Sequence, residues 1–316
     1  AADTIVAGDG ADTITGGAGA DAITAGGGVD TLVYLLTADL FTSLAVVDNI
    51  AGGAGTDILS VGTSGTAFAT LDNDVWTRAA TVETIKAVAN TVALSINLDV
   101  SAATAGITTV DISLADSGAN GSNLVDASEF TATTALTLTG SSLGGGAILG
   151  GAGGDTITGG AAIDTITGGL GADTMTGAGA ADIYVFGTTG SVSGTSLDKI
   201  TGFATASDVI DFTAITVLAA EANGVTATSD VDTSTGGLVT FHADDDTFTE
   251  MVVAILADSE LDVAGSTAIF TVGGHTYVYN AGTATGAADD QIVELTGVTG
   301  AAFDTITDLG TTMTIG

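Results

Sequence analysis

The chain of 316 residues has no cysteine and no proline, only three lysines and arginines together, and aromatics make up 5% of it. Zero cysteine rules out a disulfide framework. Arg78, Lys86 and Lys199 are the only strong bases, so there is no basic surface and nucleic acid is excluded as a direct partner. No apolar run reaches the roughly 18 residues of a membrane span, so no transmembrane helix is expected. The opening residues, Ala1-Ala2-Asp3-Thr4, lack the basic and apolar regions of a signal peptide. The chain also opens inside a repeat. It is therefore expected to be a piece of a longer protein whose N-terminal anchor or enzyme domain lies outside it.

What is abundant is glycine, with 47 residues, and acid, with 38 Asp plus Glu and a formal net charge of −35. Of those acids, 32 are Asp and six are Glu. Disordered acidic chains are poor in Val, Ile and Leu. Here the hydrophobic fraction is 45% and the mean hydropathy +0.53, so a folded protein is expected. Three bases cannot offset that charge internally.

The order in the sequence is a nine-residue repeat. From residue 7 it reads AGDGADTIT, GGAGADAIT, AGGGVDTLV, with aspartates at Asp3, Asp12, Asp21 and Asp30. An aliphatic follows each two residues later: Ile5, Ile14, Ile23 and Leu32. The phase returns at GGAGTDILS with Asp57 and Leu59; Asp39 and Asp48 also fall in phase, but without glycines. The TADLF and SLAVV stretch around them reads equally as a short inserted helix. A second block, 150–186, carries Asp155, Asp164, Asp173 and Asp182, followed by Ile157, Ile166, Met175 and Tyr184. The 98 residues from Asp57 to Asp155 are not a multiple of nine, so the blocks are separate runs.

These units match the nonapeptide GGxGxDxUx, in which U is a large apolar residue. Glycines permit φ > 0 and leave carbonyls unshielded, Asp closes the turn, and xUx is a short strand with one inward side chain. Two units make one coil, so Asp12 should stack with Asp30, Asp3 with Asp21, Asp155 with Asp173, and Asp164 with Asp182. Calcium would then sit between adjacent turns, held by carboxylates and carbonyls, with roughly four to seven ions expected. The expected ligands are Asp12, Asp21, Asp30, Asp57, Asp155, Asp164, Asp173 and Asp182. The turn carbonyls would come from Gly8, Gly10, Gly17, Gly19, Gly26, Gly28, Gly53, Gly55, Gly151, Gly153, Gly169 and Gly171. Ala162, Ala178 and Ala180 replace glycines and weaken the Asp164/Asp182 edge.

Between the blocks, 61–149, β-branched runs dominate (TVETIKAV, TVALSINL, TTVDISL, ALTLTG, AILGG) and tight NG or DG turns are absent. That favours a parallel coil continuing the stack, with Val110, Ile112 and Leu114 inward and Trp76 as a core or capping residue. After the second block, TFTEMVVAILADSEL has helical spacing, capped by Thr247 or Thr249. IFTVGGHTYVYNA reads as a hairpin and DDQIVELTGV as a strand. The expected fold is all-β: a right-handed parallel β-roll or β-solenoid with a C-terminal β-rich capping domain bearing one or two short helices. The divisions are 1–60, a first roll block; 61–149, an intervening solenoid; 150–186, a second roll block; and 187–316, the cap.

The nonapeptides, the D-x-I-x-x-F…D-x-I-D-F pattern of 198–212, and GGHTYVYNAG…DDQIVELTGV together resemble the C-terminal part of RTX surface-layer proteins of Gram-negative bacteria. The VETIKAV…GITTVDISL middle is similar to the linking segment of the same group. The C-terminal motifs are shared with other RTX exoproteins, including serralysin-type proteases. The resemblance implies export by a type I secretion system through an uncleaved C-terminal signal, folding in external calcium, and a place on the cell surface. It also implies association with further copies of the chain, and with cell-surface polysaccharide through any N-terminal part outside these residues. His275 stands where similar sequences carry Asp and is not counted as a ligand.

Four functions compete on this evidence: a calcium-dependent surface lattice, an adhesin or other exoprotein with an RTX tail, an enzyme, and an ice-binding protein. HExxH, GxSxG and cysteine are all missing, and His242 in FHADDD reads as part of a solvated loop, so no catalytic residue is assigned. The paired threonines Thr13/Thr15, Thr156/Thr158, Thr165/Thr167 and Thr174/Thr176 suit ice, but only about two rungs per face are expected.

Overall fold

The computed structural model describes residues 1–34, 40–42, 45–46, 48–62, 70–71, 73–88, 93–115, 123–187, 197–212, 216–217, 232–233, 238–241, 247–257, 261, 263, 266–282, 290–298, 306–308 and 312–315. They fall into two compact units, Ala1–Thr165 and Ile166–Gly316.

The first unit is a parallel roll. One ladder runs through Thr13–Ile14, Thr31–Tyr34, Ile58–Val61, Thr84–Ala87, Thr109–Asp111, Thr137–Thr139 and Thr156–Gly160, every pairing parallel. A second sheet joins Thr4–Val6, Ala22–Gly27, Asn49–Ala54 and Ala79–Ala80. A third joins Thr70–Leu71, Ser95–Asn97, Asn123–Asp126 and Gly146–Leu149. Short strands suffice because each contributes one inward apolar residue per pleat. Ile14, Leu32, Leu59, Ile85, Val110, Leu138 and Ile157 stack in register and are buried. The expected continuation of the roll through 61–149 is what the ladder shows.

Three details differ from expectation. The coil is 18 residues at Asp3–Asp21 and Asp12–Asp30 but 27 at Asp21–Asp48 and Asp30–Asp57, because an insertion is accommodated outside the ladder. Within that insertion Leu40 is helical, and the described residues after it add a small antiparallel pair, Phe41–Thr42 with Ala45–Val46, that the repeat does not announce. Leu114 is 48% exposed. The Asp111 carboxylate accepts the Ser113 N–H at 3.0 Å, an Asx turn that ends the alternation after Ile112 and leaves Ala115 inward instead. Trp76 is buried, as expected, with its indole N–H on the Asn97 carbonyl at 2.7 Å.

In the second unit, Thr174–Ala178, Asp198–Thr201 and Gln291–Thr296 pair in parallel, and then the direction reverses. Gln291–Thr296, His275–Asn280 and Ser266–Val272 are antiparallel, the last two joined at Gly273 and Gly274 with φ of 60° and 83°. Two consecutive left-handed residues make the type I′ hairpin read from GG. Helix Phe248–Ala257 packs Val252, Ala254 and Ile255 into a core with Phe270 and Tyr279. Thr247 caps it: its Oγ1 accepts the Glu250 N–H at 3.3 Å and the Glu250 carboxylate accepts the Thr247 N–H at 3.2 Å, a capping box.

Ala178 and Ala180, where glycine was missing from the repeat, keep the glycine conformation, with φ of 80° and 75°. Holding an L-residue there costs about 1–2 kcal/mol, more than the roughly 0.5–1 kcal/mol of chain entropy that glycine gives up on folding. Ala180 is exposed and packs against little. Ala180→Gly is accordingly expected to stabilise the protein by about 0.5–1 kcal/mol in a denaturant melt; a destabilised variant would show that the left-handed turn is unstrained.

Candidate calcium-binding corners

The repeating aspartates are not surface groups. Asp21, Asp30, Asp57, Asp155, Asp164, Asp173 and Asp182 are all buried, and Asp12 is half-buried. Asp21, Asp30, Asp57, Asp155 and Asp164 each use one oxygen to accept a backbone N–H from a neighbouring coil. In the first block the donors are Asp3 to Asp21 at 2.7 Å, Asp12 to Asp30 at 2.9 Å, Asp21 to Asp48 at 2.8 Å and Asp30 to Asp57 at 2.9 Å. Later, Leu136 donates to Asp155 and Gly146 to Asp164, both at 2.8 Å. In the second unit Asp173 donates to Asp198 and Asp182 to Asp208. The second oxygen of Asp155 and Asp164 turns back to its own loop, accepting from Gly151 at 2.8 Å and Gly160 at 2.6 Å.

Glycine carbonyls line the same corners. A Cβ on Gly26 would strike the carbonyl oxygen of Gly8, and one on Gly28 that of Gly10, so successive turns stack backbone on backbone. Of the predicted carbonyl donors, Gly10, Gly17, Gly19, Gly26, Gly28, Gly53, Gly55, Gly169 and Gly171 have left-handed φ. Gly8, Gly151 and Gly153 do not, so the turn at 150–155 has another shape from those of the first block.

A calcium ion takes six to eight oxygens, carbonyls included. Carboxylates and glycine carbonyls, the oxygens these corners contain, are ligands of that kind. The Oδ2 atoms of Asp21, Asp30 and Asp57 are buried without a hydrogen-bond partner. A buried carboxylate oxygen with no donor is costly unless a cation meets it. Among the described residues no three or more Asp, Glu or His side chains gather in one place, so carbonyls would supply much of any ion's shell. Repulsion sets the scale. Carboxylates on coils about 4.8 Å apart repel by about 3–4 kcal/mol at an effective dielectric of ~20. One charge-assisted hydrogen bond returns only about 1.5–3 kcal/mol. The acid column therefore needs a counter-charge.

A family model of the RTX calcium-binding nonapeptide repeat, in four copies, matches residues 1–32. A model of the peptidase M10 serralysin C-terminal region matches residues 94–279, more than half of the chain. The chain belongs to the peptidase M10 serralysin C-terminal family. No curated protein matches it. The serralysin C-terminal domain is a non-catalytic secretion and folding domain, and its presence with RTX repeats makes this an RTX-type, calcium-binding exoprotein of the type I secretion route.

Several acids with the same geometry were not singled out from the repeat. Asp48 is buried in the column, its Oδ2 accepting the Tyr34 hydroxyl at 2.9 Å. Glu83 accepts the Asp57 N–H at 2.8 Å. Asp198 and Asp208 close the coils of the second unit. All four precede an isoleucine by two, which is the signal that would have found them: Ile50, Ile85, Ile200 and Ile210. Asp39, His242 and residues 244–246 lie outside the described residues. His275 meets Glu294 at 2.9 Å, and Lys199 meets the same carboxylate at 3.3 Å.

The threonine faces are longer than expected but less regular. The outer column of the first unit reads Thr13, Thr31, Ile58, Thr84, Thr109, Thr137, Thr156. Ile58 interrupts it, and beside it the Lys86–Asp111 ion pair at 3.6 Å breaks the hydroxyl pattern, which counts against an ice-matching lattice.

Burial raises the pKa of Asp155 and Asp164, against the pull of their two N–H donors. Burial likewise raises Asp198 to about 6, opposed by the Asp173 N–H. A carboxyl whose pKa is higher folded than unfolded disfavours the fold wherever it is ionised. That penalty is complete above the folded value and disappears as pH falls through it. With calcium removed, thermal stability is therefore expected to rise between pH 7 and about pH 4.5. A fall over that window, followed by circular dichroism, would contradict the placement of these groups.

Proposed function

We propose that the chain is a structural, calcium-dependent surface-layer protein that folds outside the cell and assembles with copies of itself into a cell-surface lattice. The observation behind this reading is the run of buried corner carboxylates, of which Asp21, Asp30 and Asp57 keep an oxygen without a hydrogen-bond partner, in a chain of net charge −35. Such a body cannot pack closely against copies of itself unless divalent ions screen or bridge its acids.

In this reading Asp12, Asp21, Asp30, Asp57, Asp155, Asp164, Asp173 and Asp182, with the neighbouring turn carbonyls, hold several Ca²⁺ ions. Extracellular sites typically bind at about 10⁻⁴–10⁻³ M, which suits a chain kept unfolded inside the cell and folded outside. Residues 1–60 and 150–186 are the calcium-dependent rolls, 61–149 joins them, and 187–316 caps the fold and carries the secretion signal. The secretion machinery and further copies of the chain are the partners, with cell-surface polysaccharide reached through an N-terminal part outside these residues. No catalytic step is assigned to these residues.

The serralysin C-terminal match is equally compatible with a second reading, an adhesin or other exoprotein whose RTX tail serves secretion and folding alone. Negative-stain microscopy separates the two. The lattice reading expects ordered two-dimensional sheets in millimolar calcium that disperse in excess chelator. Monomers under both conditions would leave only the second.

A further inference from the structure

The corner column of the first unit changes character part-way along. The residues immediately before the register-matched strand positions are, in chain order, Asp12, Asp30, Asp57, Glu83, Thr108, Leu136 and Asp155. Four acids are followed by two neutral corners before acid returns. At Thr108 the coil closes on a carbonyl, the Thr108 and Thr109 N–H groups donating to the Glu83 oxygen at 2.9 and 3.0 Å and the Thr108 hydroxyl to the same oxygen at 3.4 Å. At Leu136 the corner side chain is buried and apolar. The third sheet shows the same substitution more directly. There the Leu94 N–H is accepted by Asn123 Oδ1 at 3.0 Å, the bond an aspartate makes elsewhere, from a side chain with no charge.

Three acids of this stretch are occupied locally. Asp99 accepts the Ser101 and Ala102 N–H groups and caps helix Val100–Ala105. Asp111 pairs with Lys86 and accepts from Ser113, and Asp126 accepts from Ser128 at 3.0 Å. In the coils before it Asp21, Asp30 and Asp57 each keep a buried carboxylate oxygen without a donor, whereas the atoms so left in the middle stretch, Asn97 Oδ1 and Asn123 Nδ2, belong to uncharged amides. The middle stretch keeps an apolar core of its own, with Ile85, Val110, Phe130 and Leu138 buried. Neutral corners and locally bonded acids remove the reason for requiring a cation.

We propose that residues 79–140 are a calcium-independent stretch of the roll, and that its edge strand Thr84–Ala87 is a preformed template on which the glycine–aspartate coils of residues 1–61 close when calcium is supplied. The junction is built for this. Ile58–Val61 pairs in parallel with Thr84–Ala87, the Asp57 N–H lands on the Glu83 carboxylate, and the Gly53 N–H on Thr81 Oγ1 at 2.7 Å. Thr81 is itself held at φ of 51°, continuing the left-handed turn of the glycine corners with a side chain that can accept. Parallel coils are slow to nucleate from non-local contacts, and a standing edge removes that step. The inference rests on the reading of the aspartate corners as calcium sites.

Hydrogen exchange on the full chain, in millimolar calcium and in excess chelator, tests it. Amides of 84–87, 109–111 and 137–139 are expected to change by less than about twofold, while those of 13–14, 31–34 and 58–61 lose at least about tenfold in protection. Comparable loss in both stretches would overturn the template and leave the calcium corners standing. Protection retained in both would overturn the calcium corners themselves, and the template with them. Asn123→Asp, which places a charge at a neutral corner without changing its shape, is expected to lower protection of 95–97 and 124–126 by at least about tenfold in chelator but not in calcium. No effect in chelator, or an equal loss in both conditions, would refute the role assigned to charge-free corners.

Discussion

The bond from a backbone N–H on one coil to a carboxylate on the next is the interaction from which the rest of this structure follows. It closes the corner, sets the register of the strand that comes next, and fixes the buried aliphatic two residues on. Where the corner residue is an acid, it also draws a carboxylate out of water. A fold built this way gains regularity and accumulates charge at the same rate, so the roll can lengthen only while something offsets that charge. Glycine carbonyls stacked beside the acids supply further oxygens, and an ion that binds oxygens is the economical answer.

Much of this was legible in the sequence, because a strict period of nine with an inward aliphatic leaves few alternatives. The parallel continuation through 61–149, the hairpin at Gly273–Gly274 and the Thr247 cap followed from pattern as well. What escaped was the role of acids without glycines. Asp48, Glu83, Asp198 and Asp208 make the same bond outside the glycine repeat, since the bond needs only a carboxylate two residues before an inward side chain. Coil length was equally hidden. An 18-residue coil and a 27-residue coil look alike at the ladder, where only the corner and the next few residues are constrained. Leu114 shows the converse limit, where alternation continued in sequence past the point at which an Asx turn had already ended the strand.

The distribution of charge along the roll gives the protein's export and folding a physical order. On the proposed function, coils whose corners repel stay open in a compartment poor in free calcium, and a chain open there can be threaded outward. Once outside, each ion bound to the folded state adds its binding free energy to stability. Neutral corners such as Asn123 and Leu136 interrupt the acid columns, and so divide the roll into stretches with different demands. The antiparallel hairpin and helix of the second unit end the parallel pattern with an edge of another kind, in keeping with a family whose C-terminal region serves secretion and folding.

The central claim is that one carboxylate does two separable jobs, accepting an N–H with Oδ1 and meeting a cation with Oδ2. Asp30→Asn separates them, since the amide oxygen can still take the Asp12 N–H while the amide nitrogen cannot bind a cation. Thermal melts of this variant with and without calcium are the most direct measurement. The account predicts a metal-free melting temperature equal to or above that of the unsubstituted protein, and a clearly smaller rise on adding calcium. A variant that kept the whole calcium-dependent rise would contradict it.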